Sequence, residues 1–171
     1  MFHGTVSSYI EFPNKGGLDT RFSITLMCWV QPGGQNGPLF SYGLNHFNVL
    51  ISVGSIVSNG EFACRIIKHK YFQRLNWPWI RTPEVLPVGK WVHVAASYDH
   101  NTGNICLYVN GLLRVWQNIG RGDEIATFPQ KVRMGTIGST IGNFKGKIAE
   151  MKVYNVALNE AQIQTSIRQG S

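Results

Sequence analysis

Apolar side chains in this chain recur mostly at every second position, in short runs broken by glycine, proline and asparagine. A period of two puts successive side chains on opposite faces of an extended backbone, so the pattern predicts β-strands. Strands are expected over residues 8–12 and 22–30, the second with Ile24, Leu26, Cys28 and Val30 on one face. The Gly/Pro-rich stretch 31–38 predicts a long turn, followed by strands over 39–43, 46–53 and 60–71. Residues 91–98 and 104–109 flank the turn cluster 100–103, and Asn110-Gly111 leads into a strand over 112–116. Asn-Gly is the favoured pair for a tight hairpin because both positions need positive φ. Closing strands are expected over 131–137 and 146–154.

The alternation fails twice. From 72 to 87, Pro78, Pro83 and Pro87 lie among tryptophans and arginines, which predicts a loop across one edge or face. Residues 119–129 are also irregular. One helix follows: Asn159 can accept from the N–H groups of a first turn, with Gln162 in the reciprocal capping position. Ala161, Ile163 and Ile167 form its apolar stripe, and Gly170 can end it. With no repeat and no linker, residues 1–171 are expected to form a single domain.

Several segments together resemble a laminin G-like or pentraxin-like domain of the concanavalin A-like lectin/glucanase superfamily. They are Tyr9-Ile-Glu-Phe12, the run 22–30, Leu39-Phe-Ser-Tyr-Gly43, Gly89-Lys-Trp-Val-His-Val94 and Leu107-Tyr-Val-Asn-Gly111. Gly138-Ser139, the run 144–155 and the helix start at Ala157-Leu-Asn-Glu160 complete the order. The resemblance implies an all-β fold, a two-sheet antiparallel jelly-roll sandwich with one short C-terminal helix. Such superfamily members mostly recognise ligands, and the ligand must be argued from the site.

The departures narrow this expectation. Pentraxins carry an acidic, calcium-binding run where this chain reads Ser139-Thr-Ile-Gly142, so their double-calcium site is expected to be absent. Their second disulfide cysteine falls near Ala95 or Ala96. No cofactor is expected; Asp19, Asp99 and Asp123 are the weak candidates for a single calcium. Cys28, Cys64 and Cys106 lie in strand-like runs without metal spacing, as small core hydrophobes would.

Sixteen Lys plus Arg against nine Asp plus Glu give a net charge of +7, which favours anionic partners. The basic residues concentrate in 65–81. There Arg65, Lys68, Lys70, Arg74 and Arg81 interleave with Trp77 and Trp79. Guanidinium and ammonium groups pair with sulfate or carboxylate, and an indole face stacks on a sugar ring. The alternative for this stretch is structural, with tryptophans packed under a loop and lysines solvating an edge strand.

A glycosidase would need two carboxylates facing one bond, and no predicted strand carries two. No nucleophile-elbow motif is present either, so an enzyme is not expected. Arg121-Gly122-Asp123 matches the integrin-recognition tripeptide in a predicted loop. No window is apolar and long enough for a membrane helix. His93 reads as a structural histidine, and Trp29 and Trp91 as core or sheet-face packing.

These readings lead to a non-catalytic module of an extracellular or cell-surface protein that binds glycans, preferably anionic or sulfated polysaccharide. The first alternative is a protein-binding or cell-adhesion module, a receptor ectodomain piece acting through residues 121–123. A glycoside hydrolase or lyase stands third. Nucleic acid is not favoured as a partner.

Overall fold

The computed structural model describes residues 1–43, 49–55, 58–68, 78–127, 131–138 and 142–170, with Ser58 described by its backbone. Its strands are β1 (Phe2–His3), β2 (Ile10–Phe12), β3 (Ile24–Gln35), β4 (Gly37–Tyr42), β5 (Val49–Ser55) and β6 (Ser58–Arg65). They continue with β7 (Ile80–Val85), β8 (Val92–Asp99), β9 (Asn104–Val109), β10 (Leu112–Asn118), β11 (Val132–Met134) and β12 (Lys145–Tyr154). The helix α1 spans Glu160–Gln169.

These strands form two antiparallel sheets in the orders β1-β12-β3-β8-β9-β10 and β2-β11-β4-β5-β6-β7. Alternation dictates the core between them. Ile24, Leu26, Cys28 and Val30 of β3 meet Val49 and Ile51 of β5 and Phe62 and Cys64 of β6 in one buried cluster. This is the expected jelly-roll sandwich. An Arg114–Glu84 ion pair links the edge strands β10 and β7.

The outer face of the first sheet is covered by α1. Met27, Ala95 and Tyr108 bury against Ile163, with Ile167 at the margin. Asn159 accepts from the Gln162 N–H, while the Gln162 side chain accepts from the Asn159 N–H, completing the expected capping box. Ala161, expected in the apolar stripe, is exposed; Ser166 is buried in its place. The Lys152 ammonium donates to the Ser166 hydroxyl at 3.2 Å.

Three expectations are corrected by the sheets. The long turn over 31–38 is strand: β3 runs to Gln35 beside β12, and β4 begins at Gly37 in the opposite sheet. Glycine makes that crossing compatible with close packing, because a Cβ on Gly37 would strike the backbone of Asn143 and Phe144. The expected loop 72–87 contains β7, in spite of Pro83. That strand is a sheet edge, and its register with β6 shifts between Glu61 and Ala63, where a missing N–H is tolerated. Trp91, expected to pack, is 45% exposed just before β8. Before the first expected strand, β1 adds an unforeseen pairing with β12.

Candidate functional site

The second sheet turns one face to the core and the other outward. Because Val49, Ile51, Phe62 and Cys64 point inward, Leu50, Ser52, Ala63 and Arg65 alternate outward. Register builds a row across this outward face: Arg133 of β11 pairs with Ser41 of β4, Ser41 with Leu50 of β5, and Leu50 with Arg65 of β6. Cys64 pairs with Ile80, so the antiparallel register brings Trp79 alongside Arg65. The guanidinium carbon of Arg65 lies 5.7 Å from the centre of the Trp79 ring, within the range of a cation–π contact.

Arg65 and Trp79 border a cavity of about 910 Å³. Leu50, Val85, Leu86, Val88 and Pro38 supply apolar wall, while Ser52, Asn36 and Asn59 add hydrogen-bonding groups. The amides are held in place: Asn36 Nδ2 donates to Asn59 Oδ1 at 3.0 Å, and Asn36 Oδ1 accepts from the Gly60 N–H at 3.1 Å. Among the described residues that line the cavity, Arg65 is the one charged group. It is only 5% exposed, and burial pulls its pKa below the usual arginine value. An apolar cavity with a few fixed polar groups is the usual form of a small-ligand site.

The described members of the basic stretch expected from sequence fall in different places. Arg65 and Trp79 come together as described, and Arg81 is exposed on β7 opposite Ala63. Lys68 is 3% exposed and serves a different place. It forms an isolated bridge with Ile125, and its ammonium donates to the carbonyls of Gly120 at 2.7 Å and Arg121 at 3.4 Å. Lys70, Arg74 and Trp77 lie outside the described residues.

That lysine also organises the tripeptide loop. The Asp123 carboxylate lies 3.8 Å from the Lys68 ammonium, while Arg121 and Gly122 are exposed. Tyr98 adds a hydroxyl donation to the Gly120 carbonyl at 3.4 Å. The loop is thus fastened from beneath through its backbone.

The calcium candidates occupy separate roles. Asp19 is exposed before β3. Asp99 caps the β8–β9 turn, accepting from the Asn101 N–H at 3.0 Å and the Thr102 hydroxyl at 2.9 Å. Asp123 faces Lys68. Among the described residues, no three His, Cys, Asp or Glu side chains are grouped to hold a metal.

All three cysteines are free thiols. Burial pushes Cys28 up to about 12 and raises Cys64 as well, which removes thiolate character at neutral pH. His93 is buried on the outer face of the first sheet, its ring edge-on to Trp29 with 5.4 Å between ring centres. Its Nδ1 has no hydrogen-bond partner, and burial, helped by the charge of Lys152, lowers its pKa to about 4.

Sequence reasoning missed Asn36, Asn59 and Ser52, because only the β4–β5–β6 register brings these separated residues to one cavity.

Residues 3–164 match the Laminin_G_3 family model, described as Concanavalin A-like lectin/glucanases superfamily. No curated protein sequence matches the chain. Among solved structures, a Bacteroides ovatus protein described as a candidate carbohydrate binding protein is similar at 23% identity and a TM-score of 0.72. The match covers 91% of this chain and 43% of that one, so this chain spans less than half of that protein. Domain 4 of the extracellular arabinanase AbnA from Geobacillus stearothermophilus, solved with arabinotriose, is 22% identical with a TM-score of 0.68. That match covers 94% of this chain and 73% of the other. The CBM40 of a Ruminococcus gnavus sialidase, bound to α2,3-sialyllactose, is 14% identical with a TM-score of 0.72, covering 97% and 94% of the two chains.

Proposed function

We propose that this chain, which belongs to the Concanavalin A-like lectin/glucanases superfamily, is a non-catalytic module that binds glycans, with a preference for anionic ones. The observation that carries this reading is the Arg65–Trp79 pair lining the 910 Å³ cavity. An indole offers a flat apolar surface to the C–H face of a sugar ring. Asn36, Asn59 and Ser52 can exchange hydrogen bonds with its hydroxyls. The carbohydrate ligands of the arabinanase domain and of the sialidase module support a glycan as the occupant of this fold.

The reading as a binder rather than an enzyme is supported by the lining itself. Among its described residues there is no carboxylate, whereas glycoside hydrolysis uses two, spaced for nucleophilic or water-mediated attack. An extracellular or cell-surface setting, as one module of a longer protein, fits the proposal. It is supported by the arabinanase domain's origin in an extracellular enzyme and by the partial coverage of the Bacteroides protein.

A glycan array probed once with calcium and once with chelator tests the proposal. Binding in both conditions is expected, with Trp79→Ala lowering affinity by roughly tenfold and Trp79→Phe retaining most of it. Absence of binding across the array, or full affinity in a folded Trp79→Ala variant, overturns it.

A further inference from the structure

We infer that the cavity takes a sugar bearing one anionic group, a carboxylate or a single sulfate ester, seated against Arg65, rather than a polysulfated chain. This rests on the glycan-binding reading and narrows it.

The cavity carries one positive charge among its described lining residues, and that charge is set deep, with Arg65 only 5% exposed. A guanidinium in an apolar surround interacts far more strongly with an anion than one in water, because little solvent screens the pair. It also presents five N–H donors in a plane, the fork geometry that matches a carboxylate or sulfate oxyanion. Its backbone pairs with Leu50 of β5, and its guanidinium carbon stands 5.7 Å from the centre of the Trp79 ring.

The same wall discriminates against further charge. A second sulfate would meet the apolar Leu50 and Leu86 or the neutral Ser52, Asn36 and Asn59, with no second cation among the described lining residues. Arg81 is exposed to water, where ion pairs contribute little. Lys68 cannot serve as the second cation either, since its ammonium is engaged with the carbonyls of the 120–121 backbone and with Asp123. Among the described residues, a polyanion therefore gains one strong contact here, as a monoanionic sugar does.

The decisive measurement uses the wild-type protein. Acidic glycans found on an array are compared with their own carboxyl-reduced or desulfated forms, and with heparin, by calorimetric titration at about 50 and about 500 mM NaCl. The expected ligands carry one acidic group on the bound sugar. Removing that group should weaken binding at least tenfold, and salt should change affinity less than about tenfold. Separate carboxylate and sulfate arms identify which oxyanion is preferred. Arg65→Gln should equalise acidic and reduced forms, with Arg65→Lys as a second variant that retains charge but loses the fork.

Equal binding of acidic and reduced glycans by the wild-type protein overturns the inference while leaving glycan binding intact. Heparin bound preferentially with a steep salt dependence also overturns it, in favour of a surface strip. No binding of any glycan removes the broader proposal together with it.

Discussion

The ammonium nitrogen of Lys68 lies 2.7 Å from the carbonyl oxygen of Gly120, a contact between residues 52 positions apart in the chain. It also reaches the Arg121 carbonyl and stands 3.8 Å from the Asp123 carboxylate. A lysine that sequence places among ligand-binding cations is thereby a fastener between the chain after β6 and the loop after β10. Lys68→Met should remove charge-assisted hydrogen bonds and destabilise the fold by about 2 kcal/mol in urea denaturation. Glycan affinity of the folded variant should stay at the wild-type value. A folded Lys68→Met protein with weakened glycan binding would instead place the ammonium against the ligand.

His93 gives stability a pH dependence whose sign follows from its environment. Its folded pKa of about 4 lies below the ordinary 6.5, so the unfolded chain takes up the proton first as pH falls. The stabilising effect of keeping this ring neutral is complete above about pH 6.5, declines between about 6.5 and 4, and is gone below. From that gap the loss is at most about 3 kcal/mol. His93→Gln should flatten this part of the stability–pH profile relative to wild type. Parallel profiles for the two proteins would show that the ring titrates normally in the fold.

Two glycines separate steric from conformational cost. An alanine Cβ at Gly37 would strike the backbone of Asn143 and Phe144, which cannot withdraw because Phe144 is fully buried. Gly37→Ala should therefore cost about 3 kcal/mol or more. At Gly16 the same Cβ would meet nothing within 4 Å, but φ is +68°, so Gly16→Ala should cost only about 1 kcal/mol. Thermal melts of both variants check the order. A Gly37→Ala protein as stable as Gly16→Ala would mean that the β3–β4 crossing yields readily.

The central strands and the helix were legible in the sequence because their signals are local. Ile24, Leu26, Cys28 and Val30 share a face by a period of two, and Asn159 with Gln162 closes a cap within four residues. The Asn110-Gly111 pair likewise turns β9 into β10 with positive φ at both residues. Edges and crossings were less legible. Pro83 spoils the strand signal of β7, yet an edge strand with a shifted register accommodates it. The glycines after β3's core run read as a turn, although β12 continues to pair beside them.

What the sequence determined by itself is the alternation, and with it an all-β sandwich of this superfamily with a capped C-terminal helix. It also placed Arg65 and Trp79 in one basic, aromatic stretch. Tertiary structure decided which members of that stretch share a surface. Arg65 is the last residue of β6, so the pleat and its neighbours aim it into the cavity beside Trp79. Lys68 lies three residues beyond the strand's end, where the chain bridges to Ile125 and carries the ammonium to the Gly120 loop. Proximity in sequence fixes spacing along the backbone, but a side chain's partner depends on what packs against it from elsewhere in the chain.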